Sequence, residues 1–217
     1  MSDTTRAAFR QHSPLDQLLA RVGDGLRTLS AVGESHRPRP LAAGGALTDA
    51  EREAAASLMR VNHAGEVAAQ GLYHGQALVA RDPAIRRQLL DAAKEEQDHL
   101  NWCSERLQEL GDGPSKLSPV WYAGSAAIGA LAGLRGDAVS LGFVAETERQ
   151  VSAHLGEHLQ QLPEADHASR AVVQAMKTDE ERHGQSALDA GGKLPPAPVR
   201  GLMRAVAQVM KFGAARV

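Results

Sequence analysis

The chain has 217 residues, a formal charge of −2 and only 3% aromatic side chains, enough length for one domain with a real core. That balance offers no electrostatic pull on nucleic acid, and the abundance of Ala, Leu, Glu, Gln and Arg favours helix over sheet. A single cysteine, Cys103, excludes an intrachain disulfide and a thiolate metal site, suits a reducing compartment, and falls on an apolar helical face as a buried thiol.

The N-terminal stretch carries Asp3 and Asp16 and no apolar run, which argues against a secretory signal. Arg6, Arg10, Arg21 and Arg27 keep a transit-peptide reading open beside the preferred cytosolic one. Residues 1–46 read as an arm and linker, with a short helix over Pro14 to Leu29 and breakers at Pro38, Pro40, Gly44 and Gly45. A domain over 47–217 follows. Thr48 and Glu51 form a capping-box signature with Leu47 at the staple position, starting a long helix that runs to about Ala80. Asp82-Pro83 opens the second helix, and Gly111 with Gly113-Pro114 ends it. Asp137 caps the third, which continues to about Gln161. The fourth starts near Glu164 and stops at Gly191-Gly192. An amphipathic helix over 199–212 closes the chain. The long connection over 112–137 makes this an all-α, ferritin-like four-helix bundle with one long crossover and additional short amphipathic helices.

Glu66 precedes the pair Glu96 and His99, and Glu148 precedes the pair Glu180 and His183. The lone glutamates are 148 − 66 = 82 residues apart and the histidines 183 − 99 = 84 apart, one set per half chain. Acidic residues on helices are solvated by default, so helical phase decides which of them face inward. Glu96 and His99 share a stripe with Leu89, Ala93, Leu100 and Cys103, whereas Glu95 aligns with Gln88, Asp91, Asp98 and Arg106 and is expected to face water. Glu180 and His183 follow Val172, Val173 and Met176, and Glu181 lies on a polar face. Glu148 shares its stripe with Leu141, Val144 and Leu155. Glu146 is a less clear exclusion. Glu66 lies with Met59, Asn62 and Tyr73.

Four inward carboxylates without compensation would be untenable in one core. Arginine ion pairs would relieve them, but the inward stripes carry no arginine. Two divalent ions balance four carboxylates directly, and oxygen ligands with two imidazoles suit iron or manganese.

Met59-Arg60-Val61-Asn62-His63-Ala64-Gly65-Glu66-Val67, Glu96-Gln97-Asp98-His99-Leu100, Gly142-Phe143-Val144-Ala145-Glu146-Thr147-Glu148 and Asp179-Glu180-Glu181-Arg182-His183 resemble the demethoxyubiquinone hydroxylase family over roughly residues 47–212. The Asn-His-x-Gly-Glu segment is the family-specific element; Glu-x-x-His pairs alone indicate only the wider ferritin-like superfamily. The resemblance implies a di-iron monooxygenase of ubiquinone biosynthesis that hydroxylates a polyprenylated methoxy-methyl-benzoquinol with O₂. It implies two iron ions per chain held by Glu66, Glu96, His99, Glu148, Glu180 and His183, with Glu96 and Glu180 bridging, and it settles Glu148 over Glu146. Asn62, His63, Tyr73 and His154 are candidates for hydrogen-bonding partners of these ligands.

A polyprenyl quinol resides in lipid, so a peripheral enzyme on the cytoplasmic face of a bacterial membrane is expected. Residues 117–134 carry no charge and are rich in Ala and Gly, which suits interfacial dipping more than spanning. Leu202, Val206, Val209 and Met210 with Arg200, Arg204 and Lys211 suit an anionic surface. Packing against a second copy or a partner protein of the same biosynthesis is the other use of these faces. The competing functions are a ferritin-like iron-oxidising storage or stress protein, another di-metal enzyme such as a manganese catalase or tRNA hydroxylase, and a metal-free scaffold. Gly23-Asp24-Gly25 does not continue into a dinucleotide fingerprint, so electrons come from a reductase or through the quinone.

Overall fold

A computed structural model of the protein describes residues 35–43 and 45–217, together with positions 23, 25 and 28. The helix expected over 14–29 lies outside the described residues apart from Gly23, Gly25 and Thr28, which are helical. Six helices follow in order: α1 Asp49–Val79, α2 Pro83–Glu109, α3 Ser118–Leu134, α4 Asp137–Gln161, α5 His167–Asp189 and α6 Ala197–Ala214. No strand occurs among the described residues.

Helix starts follow local chemistry. The Thr48–Glu51 capping box forms at α1, and Asp82 Oδ1 accepts from Ala84 N–H at 2.7 Å at the head of α2. Two starts differ from expectation. Helix α5 begins at His167 rather than near Glu164, and Asp166 caps it by accepting from Ser169 N–H at 2.9 Å. Gly136 takes the cap position of α4 with a φ of 113°, open to glycine. Asp137 is thereby freed to accept from the Arg81 and Asp82 amides at 3.1 and 2.9 Å, pinning the α1–α2 turn.

The bundle is layered. One apolar cluster contains Ala55 and Met59 of α1, Trp102 and Leu107 of α2, Leu155 of α4 and Val173 and Met176 of α5. Another contains Ala77 of α1, Leu89 and Ala93 of α2, Leu141 and Val144 of α4 and Ala187 of α5. Along α1 and α5 the first cluster precedes the second; along α2 and α4 the order reverses. So α1 and α5 run one way and α2 and α4 the other, the direction that only a long crossover between α2 and α4 permits. Between the two clusters each helix contributes a buried polar layer, described below.

The crossover is itself helical. Helix α3 lies against α1 at backbone contact: a methyl on Gly75 would collide with the Ala126 carbonyl oxygen, and one on Gly129 with that of Leu72. Small residues permit such an approach. The outer face of α3 exposes Val120, Leu131 and Leu134, and α6 exposes Leu202, Val206, Val209 and Phe212. No helix of the described residues is long and apolar enough to cross a membrane.

Candidate metal centre

The polar layer brings the six candidate ligands together. Glu66, Glu96, His99 and Glu180 each place one ligand atom within 4.8 Å of the others. His99 Nδ1 lies 3.0 Å from Glu96 Oε2, 3.3 Å from Glu180 Oε1 and 3.8 Å from Glu66 Oε2. His183 Nδ1 lies 2.9 Å from Glu96 Oε1 and 3.7 Å from Glu180 Oε2. Glu96 and Glu180 therefore each turn one oxygen to His99 and the other to His183. Glu148 sits on the remaining side, accepting from Tyr73 Oη at 2.6 Å.

These groups crowd one another without satisfying one another. Both oxygens of Glu180, Oε1 of Glu96 and Nδ1 of His183 are buried and lack a properly oriented hydrogen-bond partner. Among the described residues no arginine pairs with any of the four carboxylates, so the ion-pair alternative finds no partner here. Burial and the neighbouring carboxylates push the Glu66 and Glu148 carboxyls well above the ordinary range. Burial opposes charge on Glu96 and His99 too, but their mutual attraction prevails, holding Glu96 low and His99 high. His183 is pushed up to about 11: burial opposes its charge, and Glu180 and Glu96 overcome it. Four buried carboxylates and two imidazoles converging on one layer supply the donor set and charge for divalent metal.

Each histidine turns its other nitrogen to an outer carboxylate on the opposite helix. His99 Nε2 lies 3.0 Å from Asp179 Oδ2, and His183 Nε2 lies 3.3 Å from Glu95 Oε2. Such partners fix the tautomer and ring plane of a ligating histidine. Glu95 is thus not simply solvent-facing; it is half-buried against His183 and bonded by Arg182. Asp179 and Glu95 were missed by helical phase, yet a signal existed, since an acidic residue immediately precedes Glu96 and Glu180 alike. Glu146 is bound instead by Arg149 and Gln150 on its own helix.

The other candidates are dispersed. Tyr73 is fully buried and holds Glu148. Asn62 donates to Met59 Sδ at 3.8 Å, and its Oδ1 has no partner. His63 is buried with neither ring nitrogen bonded. His154 sits beside His158, ring centroids 3.8 Å apart, with Nδ1 3.4 Å from Lys211 Nζ.

Burial lowers His154 to about 3 and His158 to about 4, with Lys211 assisting. Both are neutral in the fold, while the unfolded chain takes up protons below about pH 6.5. Their stabilisation is therefore complete above that pH and declines as pH falls towards the folded values. Replacing both with Gln is expected to flatten the pH dependence between 7.5 and 5 by about 2 kcal/mol per histidine, read as the wild-type minus variant difference in urea unfolding.

Two openings reach the polar layer. A mostly apolar groove of about 680 Å³ between α1, α3, α4 and α6 extends from Glu66 past Trp121, Ile128 and Phe143 to Leu202. A more polar cleft of about 400 Å³ reaches Tyr73 and His183 from the α2–α5 side, past Arg87, Glu95 and Arg182.

Residues 53–214 match the family described as "Ubiquinone biosynthesis protein COQ7". A 3-demethoxyubiquinol 3-hydroxylase of Ralstonia pickettii is 54% identical over 216 residues, covering 94% of this chain and 100% of the relative. Proteins of the same name from Xanthomonas oryzae and Variovorax paradoxus are 53% and 55% identical, covering 99% and 94% of this chain and 100% and 99% of their own lengths. The chain belongs to the COQ7 family of ubiquinone biosynthesis proteins.

Proposed function

We propose that this chain is a di-iron monooxygenase that hydroxylates the ring of demethoxyubiquinol, a polyprenylated methoxy-methyl-benzoquinol, in ubiquinone biosynthesis. One atom of O₂ enters the ring as hydroxyl and the other leaves as water with two electrons and two protons. The observation that carries this reading is the apolar groove lined in part by Glu66, which belongs to a buried cluster with Glu96, His99 and Glu180 beside which Glu148 and His183 lie. An iron-storage protein has no use for such a groove.

In this reading residues 47–217 form the working domain and the arm precedes it. Glu66 and His99 would hold one ion and Glu148 and His183 the other, with Glu96 and Glu180 shared between them, since each turns one oxygen to His99 and the other to His183. The ferrous pair, when bound, supplies the oxygen-activating chemistry. The chain's own residues do the rest. Val61, Leu72, Trp121 and Phe143 hold ring and tail and keep water from the ligand layer. Tyr73 orients Glu148, and Asp179 and Glu95 orient the histidines. The exposed apolar residues of α3 and α6, with Arg200, Arg204 and Lys211 beside them, favour seating on an anionic lipid surface. Quinol can then pass sideways from the bilayer into the groove.

The test is anaerobic Fe²⁺ loading, a pulse of heavy-oxygen O₂, and mass spectrometry of the quinone. Long-tailed quinol is given in anionic vesicles and a short-tailed analogue in solution. One labelled oxygen is expected in each ring. Val209→Asp with Phe212→Asp, both exposed on α6 and outside the groove lining, is expected to cut the vesicle reaction at least ~10-fold, from lost apolar burial of about 1.5–3 kcal/mol per side chain, and to spare the soluble one. Iron oxidation with unlabelled quinone would defeat the hydroxylase reading.

A further inference from the structure

The two ligand histidines are supported differently, and the difference lies in the arm. Residues 35–39 run as a strap along α2. Ser35 Oγ accepts from Asn101 Nδ2 at 2.9 Å, and the His36 amide donates to Asp98 Oδ1 at 2.6 Å. The Arg37 carbonyl accepts from Trp102 Nε1 at 3.4 Å, and Arg39 pairs with Glu105 and Glu109. Trp102 also carries the Arg37 guanidinium, 5.0 Å from its ring centroid, an attraction between cation and ring face that helps fix its place.

That guanidinium reaches behind the metal centre. Arg37 Nη2 donates to Asp179 Oδ2 at 2.7 Å, and Nε donates to Asp98 Oδ2 at 3.3 Å. Asp179 Oδ2 is the same oxygen that faces His99 Nε2 at 3.0 Å, and Arg37 Nη2 itself lies 3.3 Å from that nitrogen. Since Nδ1 of His99 faces the ligand carboxylates, Nε2 carries the proton, and imidazole and guanidinium donate side by side to one carboxylate oxygen. Arg182 holds the other oxygen of Asp179 at 3.0 Å. On the His183 side, by contrast, Glu95 is bound among the described residues by Arg182, a residue of the bundle itself.

We propose that Arg37 is a positioning residue for one of the two metal positions: the arm's guanidinium locks Asp179, and Asp179 locks the ring of His99. The inference rests on the two-metal reading of the cluster. It makes the Glu66–His99 position dependent on a strap far away in sequence, while the Glu148–His183 position is supported within the bundle.

The experiment uses the full-length protein, titrated anaerobically with ⁵⁷Fe²⁺ and read by Mössbauer spectroscopy. Arg37→Ala is compared with Arg39→Ala, which loosens the same strap without touching the metal layer. Melting of the metal-free proteins reports folding. Loss of an outer hydrogen-bond partner costs about 10–100-fold in metal affinity. Arg37→Ala is expected to lose that much for one ion and alter one of two ferrous signals, while Arg39→Ala matches wild type. Because Arg37 acts through Asp179, Arg37→Ala added to Asp179→Asn is expected to lose no more than Asp179→Asn alone. Equal effects of Arg37→Ala and Arg39→Ala, or additive losses in the double variant, overturn the proposal. Wild-type protein that binds no ferrous iron defeats the metal reading and this inference together; two ions in wild type with an unaffected Arg37→Ala variant defeats the inference alone.

Discussion

Glu148→Gln is expected to make the metal-free protein more stable while removing its function. Burial and the nearby Glu180 and Glu96 raise the Glu148 carboxyl well above its ordinary range. The sign is fixed by that direction: stability from such a group is complete below the unfolded carboxyl pKa and is lost as pH rises. At neutral pH this carboxyl lowers the stability of the metal-free protein. An amide keeps the Tyr73 Oη contact without the charge. Relief of burial and like-charge repulsion at this carboxyl is expected on the scale of buried polar desolvation, roughly 1–3 kcal/mol, and each kcal/mol moves the melting temperature of a chain this size by about 2–4 °C. The same variant is expected to bind one ferrous ion instead of two and to lose at least ~1000-fold in labelled-oxygen incorporation, beyond the 10–100-fold of an outer partner. Ferrous iron should then raise the melting temperature of wild type far more than that of the variant, since only bound ligand stabilises. Calorimetry of both proteins with and without Fe²⁺ checks the pair of claims. A variant that melts lower when empty, or still takes two ions, refutes the assignment of Glu148.

The second large effect is expected at Gly75. A methyl there meets the Ala126 carbonyl oxygen, a backbone atom that moves only if α1 and α3 separate. Overpacking costs about 1–3 kcal/mol where side chains can yield; against backbone the upper end or more is expected, roughly 6–12 °C in melting temperature at 3 kcal/mol. Gly65→Ala, on the same helix, is the control. Nothing lies within 4 Å of a methyl at that position, so helix propensity dominates and stability should rise by about 0.5–1 kcal/mol. Opposite signs from one substitution type on one helix would identify the α1–α3 contact as the cause. Because α3 also lines the groove with Trp121 and Ile128, Gly75→Ala is expected to raise KM for quinol as well.

The ligand layer was legible in the sequence because it is written in helical phase. Glu96, His99, Glu148, Glu180 and His183 lie on stripes with apolar residues, and burying those stripes forces the charged groups between them into one core. Glu66 was the least decisive by phase and needed its Asn-His-x-Gly-Glu setting. The capping box at Thr48 and the proline start at Pro83 were equally readable, since both depend on contacts within four residues.

What lay beyond the sequence depends on contacts between distant segments. Asp98 read as solvated because it falls on the polar side of its helix with Gln88, Asp91 and Arg106, and Asp179 drew no reading at all, yet Asp98 is 1% exposed and Asp179 8%. The cover for Asp98 comes from the arm, 62 residues away, and Arg37 reaches Asp179 across 142 residues. Periodicity reports which face of a helix is apolar, not whether a polar face will be capped by a charged strap. The groove has the same origin, for its walls come from four helices. So the sequence by itself determined the helices, their phase and the candidate donors, through local hydrogen bonding and burial of apolar stripes. Only the tertiary structure decided which carboxylates stand behind the histidines and where a ligand can approach, because both are set by long-range packing.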